Sequence, residues 1–288
     1  MKLCRFNENR LGVVREAHAQ DARILDVTAA LDVLPASTYP LPRHDLLIAS
    51  LDVVRQRVGE LMPKAKSIPL SEVRLNSPVA NPGKIIAAPV NYLKHLHEAR
   101  EQAEIHHQVR IDEIQRIGLF LKATSSLVGP SEGVTIRHPA RRNDHEAELV
   151  VVIGKRAQNV RRENAFDFVA GYCGGLDMTA RGPEERSLRK SIDSYSVVGP
   201  WLVTVDELTN PNAVDFRLSV NGEVRQRANS RDLIIDVPGL IEFASSFYAL
   251  EPGDLLFTGT PEGVGPVMPG DHIVAEFDGI GRMDVRVK

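Results

Sequence analysis

The sequence predicts a sheet-rich α+β protein preceded by a small N-terminal domain. From residue 119 onward, short apolar runs such as GLFLKATSSLVG, AELVVVIG and PWLVTV alternate with turn residues. Within FRLSVNGEVRQ, Asn221 and Gly222 between two alternating runs give a hairpin signal, because both favour positive φ. Two Pro-Gly-Asp turns, Pro252-Gly253-Asp254 and Pro269-Gly270-Asp271, each launch another apolar run. With 288 residues, 43% hydrophobic and 25% charged, the chain can bury a substantial core.

Taken in order, LGVVRE and RILDVT read as short strands, followed by the Pro-containing loop PASTYPLPRHD and a helical pattern over LLIASLDVVRQRVGELM. The Pro- and Ser-rich stretch over residues 63–83 disfavours continued helix, and the N-terminal domain is assigned to residues 1–75, the main domain to 76–288. KIIAAPV is a short strand. Residues 94–117 lack Pro and Gly and are highly charged, as expected of an exposed helical segment able to cover a site. GVTIRHP and the runs around it read as strands, PGLIEFASSFYAL as a helix, and MPGDHIVAEFD and GRMDVRVK as the closing strands.

A net charge of -3 gives no general reason to bind nucleic acid or an anionic membrane, so small molecules are the expected partners. MKLCRFNENR is too polar for a signal peptide, and no uncharged apolar run approaches the roughly 20 residues of a membrane span, so a cytoplasmic location is expected. Cys4 and Cys173 lie far apart without a CxxC spacing, which suggests buried thiols rather than a disulfide or a zinc site.

HEAELVVVIG raises the question of chemistry. On a strand, Glu146 and Glu148 share one face with Cα atoms about 7 Å apart, from a rise of roughly 3.3 Å per residue. Two carboxylates beside an apolar strand need compensation, and a hard divalent cation supplies it. Asp177, at the end of VAGYCGGLD, is a third candidate ligand. Spacing alone leaves a second reading open, in which the acids are edge-strand charges paired with Arg141, Arg142 and Lys155.

DHEAELVVVIG, GYCGGLDMTARG, SLRKSID, VVGPWLVT, VNGEVRQ and LLFTGTPEGVGP, in this order and spacing, resemble the fumarylacetoacetate hydrolase family over residues 84–288. The resemblance implies a mixed multi-sheet α+β fold with a metal-centred cleft on a homodimer, with Glu146, Glu148 and Asp177 holding Mg²⁺ or Mn²⁺ and Ca²⁺ as a further candidate. The NYxxH pattern in VNYLKHLHEA puts the general base at His95, and Glu98, three residues on, would share its helix face and orient it. Lys190 matches an active-site lysine. Tyr92, Arg181, Gly259 and Thr260 are carried over as substrate-binding positions, with the glycines of FTGTPEGVG letting backbone pass close to a ligand. Read without the family, Lys190 is a surface lysine, His97, His106 and His107 are solvated, and the glycines are turn residues.

The activity implied is metal-dependent hydrolysis of a carbon-carbon bond in a diketo acid: a water activated by His95 attacks a carbonyl, and an enolate forms at the ion beside Lys190. Two positions depart from the acylpyruvate-cleaving pattern. Val90 precedes Asn91 where an Arg is usual, and Glu184 stands near the usual Gln, so the cluster Arg181, Arg186 and Arg189 is a candidate replacement grip. An isomerase or decarboxylase of 2-oxo or 2-hydroxydienoic acids on the same scaffold is the alternative, and a non-catalytic, cation-stabilised binding protein is the third reading.

Overall fold

The computed structural model describes residues 1–15, 22–101 and 112–288. The N-terminal strands are β1 (Lys2–Phe6), β2 (Arg10–Arg15), β3 (Arg23–Asp26), β4 (Lys66–Pro69) and β5 (Leu75–Asn76), with helices α1 (Leu46–Ala49) and α2 (Leu51–Leu61) between β3 and β4. Then come β6 (Ile85–Ala87), α3 (Leu93–Glu101), α4 (Ile114–Ile117), β7 (Phe120–Lys122), β8 (Leu127–Val128) and β9 (Asn143–His145). The central strands are β10 (Ala147–Ile153) and β11 (Val169–Asp177), followed by β12 (Thr179–Ala180), α5 (Arg186–Lys190) and β13 (Ser196–Thr204). The chain ends with β14 (Asp215–Val220), β15 (Glu223–Asn229), α6 (Val237–Phe247), β16 (Leu255–Phe257), β17 (Gly265–Pro266), β18 (His272–Phe277) and β19 (Gly281–Arg286).

One large sheet runs β4-β3-β2-β1-β13-β11-β10-β16-β6-β7, with β5 added on β1 and β8 on β13. Two smaller sheets, β12-β9-β17 and β15-β14-β18-β19, complete the mixed architecture expected from the sequence. Every residue of β10, β11 and β13 is buried. The run LVVVI explains this: its alternating side chains feed two apolar clusters on opposite faces, Leu149, Val151 and Ile153 in one, Val150 and Val152 in the other. The small sheet β15-β14-β18-β19 closes over the first cluster through Phe216 and Phe277, whose rings stack with centroids 5.3 Å apart.

Local chemistry sets the ends of these elements. Asn221 (φ 51°) and Gly222 (φ 86°) make the hairpin turn between β14 and β15, as their residue types predict. Asp236 caps α6, its carboxylate accepting from the Gly239 amide at 3.1 Å, and Asp45 does the same for α1 through the Ile48 amide. The helical pattern over 46–62 breaks once, at Ser50, whose φ of -106° leaves the helical region. GVTIRHP is not a strand. Gly133 at φ 73° turns the chain in, Pro139 ends it, and Val134 makes only an isolated bridge to Val287. Cys4 and Cys173 are free and buried, and burial pushes the Cys4 thiol up to about 12. Among the described residues no helix is long and apolar enough to cross a membrane.

Candidate active site

The antiparallel register of β10 and β11 assembles the acids. Ala147 lies opposite Leu176 and Glu148 opposite Gly175, while the Asp177 amide donates to the Glu146 carbonyl at 2.9 Å. The pairing thus brings the last residue of β11 against the entry of β10. Glu146, Glu148 and Asp177 are all buried, and one oxygen of each lies within 4.8 Å of the others.

The three carboxyls are not equivalent. Burial works against ionisation of Glu146, but the Lys190 ammonium and then the Arg181 guanidinium outweigh it and hold the carboxyl below the usual range. Glu148 has no such partner: burial first, then the charge of Asp177, pushes its pKa well above the ordinary value, against the pull of Lys190 and the Gly259 amide. Negative charge at the Glu148 side of the cluster is therefore undercompensated by protein. A hard divalent cation fits that deficit. Oxygen ligands on opposite sides of an ion with bonds of about 2.0–2.6 Å are separated by about 4–5 Å, which the cluster spans. An oxygen-only donor set suits Mg²⁺, Mn²⁺ or Ca²⁺ rather than zinc.

Lys190, on the last turn of α5, donates to Glu146 Oε2 (2.6 Å), Asp177 Oδ2 (2.7 Å) and Thr179 Oγ1 (2.7 Å). The surface-lysine reading fails, since Lys190 is buried. Lys122, unmarked by the sequence reading, is buried beside the same centre; its ammonium donates to Asp177 Oδ1 and to the Tyr195 carbonyl at 2.8 Å. The strand pattern carried a signal for it: in β7, Phe120 and Lys122 point inward while Leu121 points out.

His95 and Glu98 share a face of α3, with Nδ1 of the imidazole 2.9 Å from Glu98 Oε2. A carboxylate at Nδ1 selects the tautomer protonated there and leaves Nε2 as the basic nitrogen. Glu98 Oε1 accepts from the Gly263 amide at 3.0 Å, fastening the helix to the loop after β16. That loop is held by residues the sequence reading passed over. Asn91 donates to the carbonyls of Ile235 and Thr258 and accepts from the Ile235 amide, each at 2.8 Å. Gln226 donates to Thr260 Oγ1 (2.8 Å) and the Pro261 carbonyl (3.0 Å) and accepts from the Ala147 amide (3.0 Å). Gly259, at φ 101°, passes so close to Asn91 that an added Cβ would stand 2.7 Å from the Asn91 Cβ; its amide donates to Glu148 at 2.7 Å.

A cleft of about 390 Å³, including its open mouth, collects His95, the three acids, Lys190, Thr260 and the arginines 181, 186 and 189, with Val90 and Phe120 among its apolar walls. Arg181 is committed to Asp144 (2.8 Å) and Glu146 (3.1 Å). Glu184 is held by Arg141 at 2.6 Å and does not line the cleft; that hydrogen bond pulls its carboxyl down to about 2. Val90, a β-branched residue at φ 42°, turns the chain between β6 and α3. Tyr92 does not line the cleft. It packs edge-on against Phe216 inside the core, and its backbone bridges to Leu233. Of the segment 94–117, residues 94–101 lie in α3 and 114–117 in α4; residues 102–111, with His106 and His107, fall outside the described residues.

An oxygen-only cluster able to hold a cation at the ends of two buried strands, with a histidine and its carboxylate alongside, fits a metal-dependent α+β enzyme scaffold. The chain belongs to the fumarylacetoacetate hydrolase family: the family described as "Fumarylacetoacetate (FAA) hydrolase C-terminal" matches residues 84–288. It is 57% identical over 290 residues to maleylpyruvate hydrolase of Aquipseudomonas alcaligenes, covering 100% of this chain and 99% of that one. The crystal structure of maleylpyruvate hydrolase from Sphingobium sp. SYK-6 in complex with manganese(II) ion and pyruvate superposes with a TM-score of 0.83 at 40% identity, over 100% of this chain and 98% of that one. A mitochondrial oxaloacetate tautomerase of Xenopus laevis is 35% identical over 224 residues, 73% of this chain and 67% of that one.

Proposed function

We propose that this protein hydrolyses maleylpyruvate, or an acylpyruvate close to it, to pyruvate and a carboxylic acid. The class of reaction, hydrolysis of a carbon-carbon bond in a diketo acid, follows from end-to-end similarity to a maleylpyruvate hydrolase. The observation that carries the mechanism is that His95, held 2.9 Å from Glu98, lines the same cleft as the acidic cluster.

Glu146, Glu148 and Asp177 would hold the ion, Mn²⁺ or Mg²⁺ with Ca²⁺ as a substitute. When bound, it supplies Lewis acidity toward the carbonyl oxygens of the oxo acid. His95 Nε2 removes a proton from water, and the water oxygen attacks the acyl carbonyl carbon of the substrate. The bond from that carbon to the methylene of the pyruvate unit breaks, leaving its electron pair on the methylene carbon, conjugated with the 2-oxo group. The ammonium of Lys190 is positioned to stabilise that negative charge until the carbon takes back a proton. Glu98 keeps His95 in the required tautomer, Arg181 and the Gly259 amide fix Glu146 and Glu148, and Thr260, held by Gln226, lines the cleft. Tyr92 serves this arrangement from the core, by packing under the start of α3, rather than through substrate contact. A homodimer, as the family resemblance implies, and a cytoplasmic location accompany this proposal.

The tautomerase relative supports a second reading, in which the scaffold only moves a proton between carbon and oxygen. His95→Ala separates the two. Diketone absorbance should disappear with wild type and Mn²⁺, and the variant should lose about 10²- to 10⁴-fold in kcat. Acylpyruvate cleavage retained by His95→Ala would remove the base from the mechanism. Turnover of oxaloacetate tautomers without acylpyruvate cleavage by the wild type would favour the second reading.

A further inference from the structure

Among the described residues, five cations serve the cleft or its floor, and four are already engaged. Lys122 is tied to Asp177 and the Tyr195 carbonyl, and Lys190 gives its three donors to Glu146, Asp177 and Thr179. Arg181 is spent on Asp144 and Glu146. Arg189 donates through Nε to the Glu184 carbonyl and through Nη1 to the Ala180 carbonyl. Arg186 is different. Its guanidinium lies 5.5 Å from the centroid of the Phe120 ring and has no hydrogen-bond acceptor or salt-bridge partner among the described residues. An aromatic face holds such a group by cation–π attraction while leaving its N–H fork free, a preorganised arrangement for taking a carboxylate in two parallel hydrogen bonds.

We propose that Arg186, propped on Phe120, binds the second carboxylate of the substrate, the one at the far end of the acyl arm, and thereby selects dicarboxylic diketo acids over simple acylpyruvates. The inference rests on the proposed hydrolase reading, under which the oxo-acid end of the substrate is held at Glu146, Glu148 and Asp177. Maleylpyruvate carries a carboxylate at each end, and a site for its acyl arm needs a cation that protein acids have not already neutralised. Arg186 lines the same cleft as the acidic cluster, and its short helix α5 also carries Lys190, so one element positions both ends of the grip.

The test compares two substrates on the full-length, Mn²⁺-supplied protein: maleylpyruvate, and 2,4-dioxopentanoate, which keeps the diketo acid and lacks the second carboxylate. Arg186→Met should lower kcat/KM for maleylpyruvate by about 10- to 100-fold, mostly through KM, with a much smaller loss on 2,4-dioxopentanoate. Arg186→Lys, which keeps the charge without the fork, should fall between and guards against a folding defect in the first variant. Equal losses on both substrates, or none on maleylpyruvate, would overturn the role of Arg186 while leaving the hydrolase reading in place. A wild type that cleaves neither substrate would sink the hydrolase reading and this inference with it.

Discussion

At the scale of single residues, the site divides into groups whose chemistry announces them and groups known only by their partners. Glu98 belongs to the first kind. In Glu98→Gln the side-chain amide can turn its NH₂ toward His95, which then accepts at Nδ1 and carries its proton on Nε2, where a base is needed. The variant should lose about 10²- to 10⁴-fold in kcat with little change in KM, measured by loss of diketone absorbance; near-wild-type kcat would refute the tautomer argument. Lys122 belongs to the second kind. It is 3% exposed and shares Asp177 with Lys190, so Lys122→Met leaves a buried carboxylate with half its compensation. Breaking a buried pair on one side costs about 3–5 kcal/mol, which urea unfolding in EDTA should show and added Mn²⁺ should partly restore. That the acids, His95 and Lys190 line one cleft was legible through the family motifs, where spacing alone left the acids open to a surface reading and Lys190 to a solvent-exposed one. Lys122, Asn91 and Gln226 were not, because their partners lie 55, 167 and 34 residues away in the chain and only the fold joins them.

At the scale of elements, the apolar strands and their turns were legible where local physics decides. Asn221-Gly222 and the Pro-Gly-Asp turns require positive φ, and Gly222, Gly253 and Gly270 have it. GVTIRHP misled because its apolar alternation is real, yet the turn at Gly133 leaves it only isolated pairing, and pairing is a property of the partner. The glycines of β11 are a stronger case of packing hidden in sequence. A Cβ at Gly174 would stand 2.4 Å from the Phe277 ring, so this strand can carry the second sheet only while that position is bare. Gly174→Ala should cost about 1–3 kcal/mol by overpacking. Gly59, on the exposed side of α2 with nothing within 4 Å of an added Cβ, provides the opposite case: Gly59→Ala should gain about 0.5–1 kcal/mol. Denaturant midpoints for the two variants, at unchanged m-value, decide the matter; a destabilised Gly59→Ala or a neutral Gly174→Ala would contradict the packing account.

At the scale of the whole molecule, an ion held by the three carboxylates and the strands of residues 1–75 would both support the fold. Ion binding to the folded state alone adds about 2.7 kcal/mol when free ion is a hundred times its Kd, or roughly 5 °C in Tm for a chain this long. Chelation should therefore lower Tm and Mn²⁺ restore it; a Tm indifferent to both would speak against the three-carboxylate site. A change in composition suggested an N-terminal unit over residues 1–75, but it gave no sign of how that segment attaches, since strand pairing across the chain leaves no local mark. In the structure β1 pairs with β13, Lys2 opposite Val203 and Leu3 opposite Leu202, so the large sheet continues from one unit into the other. Removing residues 1–75 would strip that edge from β13, every residue of which is buried, and uncover Leu202 and its neighbours in the second apolar cluster. An unpaired apolar edge recruits other chains. The truncated protein, residues 76–288, should accordingly aggregate or remain unfolded in size-exclusion and circular-dichroism measurements, even with Mn²⁺ present. A monodisperse, cooperatively melting, metal-responsive fragment would mean that the family-matched region closes its own core and that the β1–β13 pairing is dispensable.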